Sequence, residues 1–234
     1  MIRNFIVVFL IMGFCQNLFA QGDYLSIGFG PSLIYSDNSG EYRDFKFKVK
    51  PAITLSYNKQ ITEYVGLRGY LGAQIFNSGD YDLPYARKII NWGNQDQAFG
   101  YKGTGYFADL MPVFTSNPNA AGMISSTVLF HAGLGFGVMF VEREQKTLKN
   151  GVLRNGVMEG DIITSNKTNF LPYVPIRTGF STNLSGDWDF TLEFVLMTIL
   201  NSELDGNNIK DKQLTPDMSG QIQFSVKRYF GQAW

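Results

Sequence analysis

The residues able to do chemistry are few. His131 is the only histidine and Cys15 the only cysteine in 234 residues. A histidine-based hydrolysis needs a nucleophile and an orienting acid within hydrogen-bond reach of the ring. The run Phe130-His131-Ala132-Gly133 fixes neither. One histidine and one cysteine also cannot build a nitrogen–sulfur metal centre. Asp80 with Asp82 and Glu203 with Asp205 are carboxylate pairs, but they lack the oxygen-ligand pattern of a calcium loop and read as solvated loop charge. Gly133-Leu134-Gly135-Phe136-Gly137 has phosphate-loop glycines without the lysine and helix that make such loops work. Lys46, Lys48 and Lys50 could attract an anion, but read as solvated rim charge. No catalytic, cofactor or metal residue is assigned, and the expectation is a non-enzymatic protein without a cofactor.

The remaining candidates share a different feature. Lys50, Arg68, Asp109, His131, Arg177, Asp189 and Glu193 all occur in segments that change character at every residue. Between Phe45 and Tyr57 the odd positions are Phe45, Phe47, Val49, Pro51, Ile53, Leu55 and Tyr57, with Lys, Ala, Thr and Ser between them. Between Trp188 and Leu196 the even positions are Trp188, Phe190, Leu192, Phe194 and Leu196, interleaved with Asp189, Thr191 and Glu193. A period of two means a strand with one apolar and one polar face. The segments are long enough to cross a bilayer as tilted strands, about 9–11 residues plus their ends.

Eight strands are predicted: Tyr24–Tyr35, Phe45 to about Asn58, Tyr64–Phe76, Gly105–Thr115, Ile124–Val141, Phe170 to about Thr182, Trp188–Leu200, and about Ser219 to Phe230. Their connections alternate between short turns (59–63, 116–123, 183–187) and long loops (36–44, 77–104, 142–169, 201–218). That alternation is expected of outer-membrane barrels. The fold class predicted is an all-β, eight-stranded antiparallel transmembrane barrel, one domain spanning 21–234. The rival is a secreted water-soluble barrel with the apolar face inward. Its outer face would then be densely charged. The face opposite the apolar one instead carries Gly28, Gly30, Gly66, Gly72, Gly133, Gly135 and Gly137, suited to a narrow interior. Aromatics also cluster at two levels: Tyr35, Phe45, Tyr106, Phe140 and Phe170 at one rim, and Tyr57, Phe114, Phe180, Trp188 and Phe190 at the other. Two aromatic girdles are the signature of a membrane interface.

With the apolar face outward, Arg68, Asp109, His131, Arg177 and Glu193 point into the lumen and are predicted to form a polar network there. A hairpin centred near Ser185 would set Arg177 directly opposite Glu193, a favourable cross-strand pair. Loop 77–104 is unusually apolar, with Tyr81, Tyr85, Ile89, Ile90, Trp92, Phe99 and Tyr101, and is expected to cover the barrel mouth or to meet a partner.

Bulk properties agree. Charged residues make up 17% of the chain and aromatics 15%. Residues 1–20, with Arg3, an apolar run Phe5–Phe14 and Leu18-Phe19-Ala20, read as a cleaved export signal. Cys15 lies inside it. Arg3 is the only charge there, so 19 of the 20 basic residues face 20 acidic ones in the exported part. No basic excess points to nucleic acid. The expected location is the cell outer membrane, with its lipid as the first partner.

Val49-Lys50-Pro51-Ala52-Ile53-Thr54-Leu55-Ser56-Tyr57 followed by Tyr64-Val65-Gly66-Leu67-Arg68 is similar to the second hairpin of small Bacteroidetes outer-membrane barrels. Phe130-His131-Ala132-Gly133-Leu134-Gly135 and Trp188-Asp189-Phe190-Thr191-Leu192-Glu193-Phe194 are similar to other strands of these proteins. Together they resemble the PorG-like family and, more distantly, the PorT-like barrels. Leu200-Asn201-Ser202-Glu203-Leu204-Asp205 resembles that family's segment after the corresponding strand in weakened form. The resemblance implies an accessory or assembly role in type IX protein secretion, beside periplasmic or outer-membrane secretion proteins, and carries over no individual site residue. A narrow pore or a small-ligand-binding barrel is the alternative.

Overall fold

The computed structural model describes residues 23–38, 48–78, 86–116, 128–182, 188–201, 203–207, 214 and 216–230. The export signal 1–20, Phe45, Lys46, Phe47, Asp80, Asp82, Tyr81, Tyr85, Ile124 and Ser185 lie outside them.

The strands are β1 (Asp23–Tyr35), β2 (Lys50–Gln60), β3 (Val65–Asn77), β4 (Gly100–Thr115), β5 (Val128–Leu134), β6 (Phe136–Arg154), β7 (Val157–Thr182), β8 (Trp188–Ile199) and β9 (Met218–Phe230), with a helix α1 (Ala86–Asn94) between β3 and β4. All pairings are antiparallel, and β9 returns to β1, so the sheet closes. The β5 and β6 segments form one continuous stave. Both pair with β4 on one side and β7 on the other, and no residue is gained or lost between them. The interruption at Gly135 has a simple cause. Its register partner is Pro175, which accepts from Gly135 N–H at 3.1 Å but has no N–H to return. The barrel therefore has eight staves.

The register fixes its width. Direct partners followed once round from Gln60 run through Gly66, Val113, Gly133, Arg177, Val195, Gln221 and Ser32, returning to β2 at Lys50, ten residues away. Eight strands with a shear of ten tilt by about 40° and give a backbone radius of about 8 Å, so side chains can fill the interior.

Burial is inverted relative to a water-soluble protein. Phe136 is 76% exposed and Phe29 68%, whereas Arg177 is 1% and Glu193 4% exposed. Outward apolar side chains recur on every stave, including Ile53, Leu71, Leu110, Phe194 and Phe224. A continuous belt of this kind needs hydrocarbon around it. Tyr106, Phe140 and Phe170 are direct neighbours across three staves and mark its outer edge. Phe130 and Phe180 pack at 5.5 Å and mark the inner edge. From Phe170 to Phe180, ten residues at about 3.3 Å each and about 40° of tilt cover about 25 Å, the height of an outer-membrane apolar band.

Three expectations need correction. Residues 142–169 are not a loop: β6 and β7 continue past the aromatic edge as a hairpin, paired from Glu142↔Thr168 up to Arg154↔Val157. Its turn, Asn155-Gly156, has φ of 50° and 79°, the left-handed pair that two-residue hairpins favour. Loop 77–104 contains α1 and the first residues of β4. Ala86, Ile89, Trp92 and Gly93 form the buried face of α1 at helical spacing. That face lies on β6, where Gly93 sits so close to the Leu148 carbonyl that a methyl group would overlap it. Third, the β7–β8 register pairs Glu193 with Gly179 and Arg177 with Val195. The hairpin is thus centred one residue later than Ser185, and Arg177 lies diagonal to Glu193.

Candidate functional site

The lumen holds one connected group of charges at mid-height. Glu193 on β8 is its hub. Its Oε2 accepts from Arg68 Nη1 (3.2 Å), the Tyr70 hydroxyl (2.8 Å) and His131 Nε2 (3.0 Å), and its Oε1 accepts from Arg177 Nη1 (3.1 Å). Arg177 Nη2 donates to Asp109 Oδ2 (2.8 Å), which also accepts from the Tyr173 hydroxyl (2.7 Å). Arg177 therefore bridges two carboxylates, and its guanidinium lies 3.7 Å from the centre of the Tyr70 ring. All five lumen residues singled out from the sequence, Arg68, Asp109, His131, Arg177 and Glu193, come together in this group, each less than a tenth exposed.

Several staves make the geometry possible. Gly179, the direct partner of Glu193, leaves room for the His131 ring. Gly137 does the same for its partner Tyr173, and Gly72 for its partner Phe107. Pairing a small residue with a large one across neighbouring staves fills a tapering interior without collision.

Charge is balanced within the group: two guanidinium groups against two carboxylates. Burying them unpaired would cost several kcal/mol each, so the pairing is what makes the charged lumen tolerable. His131 is spoken for. A carboxylate only accepts, so Nε2 carries the hydrogen, and in the neutral ring Nδ1 is then the acceptor. Nδ1 has no hydrogen-bond partner among the described residues, so no nucleophile is held against it. No group of three or more potential metal ligands occurs among the described residues.

Below this group, Lys227 is buried, donating to Ser181 Oγ (2.9 Å) and lying 4.7 Å from the Tyr24 ring centre. Asp189, its direct cross-strand neighbour, accepts from Thr182 Oγ1 (3.0 Å). Lys50 is half-buried near the outer rim, and Lys48 is exposed. Sequence reasoning had not drawn Tyr173 and Lys227 into the network. The phase that puts Arg177 inward also puts Tyr173 inward, and Val226 outward implies Lys227 inward, so both were within reach of the alternation.

Above the group the lumen turns apolar. Phe76, Phe107, Met139, Val141, Leu171, Val195, Met197 and Ile199 form one buried cluster with Ile34, Tyr101, Tyr173 and Leu204. A ladder of amides runs beside it: Gln221 Nε2 donates to Gln74 Oε1, Gln223 Nε2 to Gln221 Oε1 (2.9 Å), and Thr54 Oγ1 to Gln223 Oε1 (3.3 Å). Described residues from the segments after β1, before β4, after β8 and before β9 meet over the mouth. Leu204 is fully buried, and its N–H donates to Asp217 Oδ2 (2.8 Å). Asp205 accepts from the Asn38 and Asn207 amides (2.9 Å each), while Asn38 and Asn207 side chains both donate to the Ala98 carbonyl (2.9 Å each). Asp205, taken from the sequence as solvated loop charge, is thus buried. Its carboxylate ties the segment after β8 to the one after β1, a long-range role that local spacing does not reveal. Burial pushes the Tyr101 hydroxyl upward from its ordinary pKa, and Asp205 adds to the effect. Burial also draws the Arg143 guanidinium downward, with Asp205 opposing.

The chain is an outer-membrane β-barrel. No protein-family profile matches it, and no curated protein does. Similar solved structures include three outer-membrane proteins. The attachment invasion locus protein Ail of Yersinia pestis is 13% identical, with 90% of this chain and 100% of that chain covered and a TM-score of 0.46. Neisserial surface protein A is 12% identical, with 90% and 98% covered and a TM-score of 0.49. OprG of Pseudomonas aeruginosa is 9% identical, with 91% and 98% covered and a TM-score of 0.44. The present fold rests on its own closed register and apolar belt.

Proposed function

We infer that this chain is a closed, non-catalytic barrel that works by presenting protein surface outside the membrane, as an accessory or assembly component of a secretion machinery of the type IX kind. One observation carries the reading. Arg68, Arg177, Asp109 and Glu193 are paired with one another, with only Asp109 Oδ1, Arg177 Nε and His131 Nδ1 left without a partner among the described residues, and buried apolar side chains pack the lumen above them. The outer side, by contrast, carries a hairpin and a helix beyond what anchoring requires. The secretion assignment is supported by the strand resemblance to PorG-like barrels. A narrow pore or small-ligand barrel would need an open bore.

Two experiments test the two parts separately. Planar-bilayer recording is expected to show no steady conductance; large, stable channels would overturn the closed reading. Deletion of the gene in its native host is expected to reduce secretion through that machinery, and the tagged protein to co-purify with secretion subunits. Normal secretion with no such subunit recovered would overturn the assignment and leave the closed barrel standing.

A further inference from the structure

Within the membrane every stave has a partner on both sides. Above Pro172, β7 has no partner on its β8 side among the described residues. Its pairing with β8 ends at Tyr173↔Ile199, and the Leu200 N–H makes a last bond to the Pro172 carbonyl. Over 157–168, β7 is paired with β6 alone among the described residues. Both of its faces are open: Ile162 is 59% and Ile163 49% exposed, on opposite sides. The β6 arm differs, because α1 lies against it and Leu148 is buried there. A long free edge with unpaired backbone groups is a template for another strand, and natural proteins normally blunt it. Over 157–168 this one has no proline; its one departure from regular strand is Gly160, with a φ of 157° opposite the register irregularity between Lys149 and Val152 of β6.

We propose that this edge receives the same edge of a second copy of the chain, antiparallel about Ile163. The charges select this occupant. In that register Glu159 of each copy, whose carboxylate also lies 3.8 Å from Arg154 Nε of its own hairpin, stands directly opposite Lys167 of the other, twice over, with Ile163 against Ile163 at the twofold axis. Opposite charges directly across an antiparallel pair attract. Parallel pairing of the same edges would set Glu159 beside Glu159 and Lys167 beside Lys167. On the other face Ile162 packs beside Thr164. The contact is isologous, and twofold pairs are the commonest closed assembly.

The test uses the full-length protein reconstituted in lipid vesicles, with Cys15→Ser as background. Ile163→Cys is expected to give a disulfide-linked dimer on mild oxidation, and Asn166→Cys, whose opposite number is Gly160, is expected to give none. Glu159→Lys or Lys167→Glu alone should weaken dimerisation about tenfold, and the two together should restore it. The wild-type chain supplies a second readout: amides of 157–168 should gain exchange protection as protein density in the membrane rises. Equal cross-linking at 163 and 166, single reversals without effect, or exchange in 157–168 that ignores density would overturn the proposal.

Discussion

One strand, β7, is two different objects. Its inner half, from Phe170 to Thr182, alternates strictly between lipid and lumen. Its outer half, from Val157 to Asn169, is exposed almost everywhere on both faces. The backbone is extended in both, and β6 or β5 pairs with it along nearly its whole length. What differs is the contrast between the two faces. In the inner half one side meets hydrocarbon and the other a packed lumen, and the sequence must alternate. In the outer half both sides meet water, and nothing forces a period of two. Alternation therefore reports an asymmetric environment rather than a strand as such.

The largest effect should come from the inner half. Arg177→Met removes the bridge between Asp109 and Glu193, leaving both carboxylates buried with fewer partners. We expect a loss of about 3–5 kcal/mol in denaturant unfolding from lipid vesicles. An unchanged midpoint would mean that the lumen is wet enough to solvate them. Next come two identical substitutions on one strand. Ile176→Arg places a charge near the middle of the apolar band and should cost about 2–4 kcal/mol. Ile162→Arg, fourteen residues earlier on the same lipid-side face, should change global stability by about 0.5 kcal/mol or less. Equal costs would erase the boundary at Phe170. A smaller effect is expected at the hairpin turn. Gly156→Ala puts a side chain at a φ of 79° and should loosen the arm by about 1 kcal/mol. Amide exchange should quicken in 147–165 and stay unchanged in 170–182. Wild-type exchange should itself step down in protection above Phe170.

The same contrast explains how much could be read from the sequence. The staves, their inward and outward faces and both aromatic levels follow from period-two runs such as Trp188–Leu196. So does the inward placement of Arg68, Asp109, His131, Arg177 and Glu193. The upper lumen was not legible. Around Met139, Val141, Leu171 and Met197 both faces are apolar, so the inward side chains do not stand out from the lipid-facing ones. The diagonal geometry of Arg177 was missed because it depends on a one-residue difference in where the β7–β8 hairpin turns. The outer hairpin was missed although Asn155-Gly156 is a strong turn signal, because its flanks lack alternation. The cap was illegible for another reason. Asn38 meets Asp205 across 167 residues of chain and Ala98 across 60, and only the closed barrel brings them together.

Hydrocarbon surrounds the belt, and side chains pack the lumen. A nitroxide scan along 170–182 in lipid vesicles tests both at once. Labels at even positions are expected to be accessible to oxygen but not to a water-soluble nickel complex, and labels at odd positions to be shielded from both. Ready access of the nickel complex to labels at Ile176 or Phe180 would contradict this.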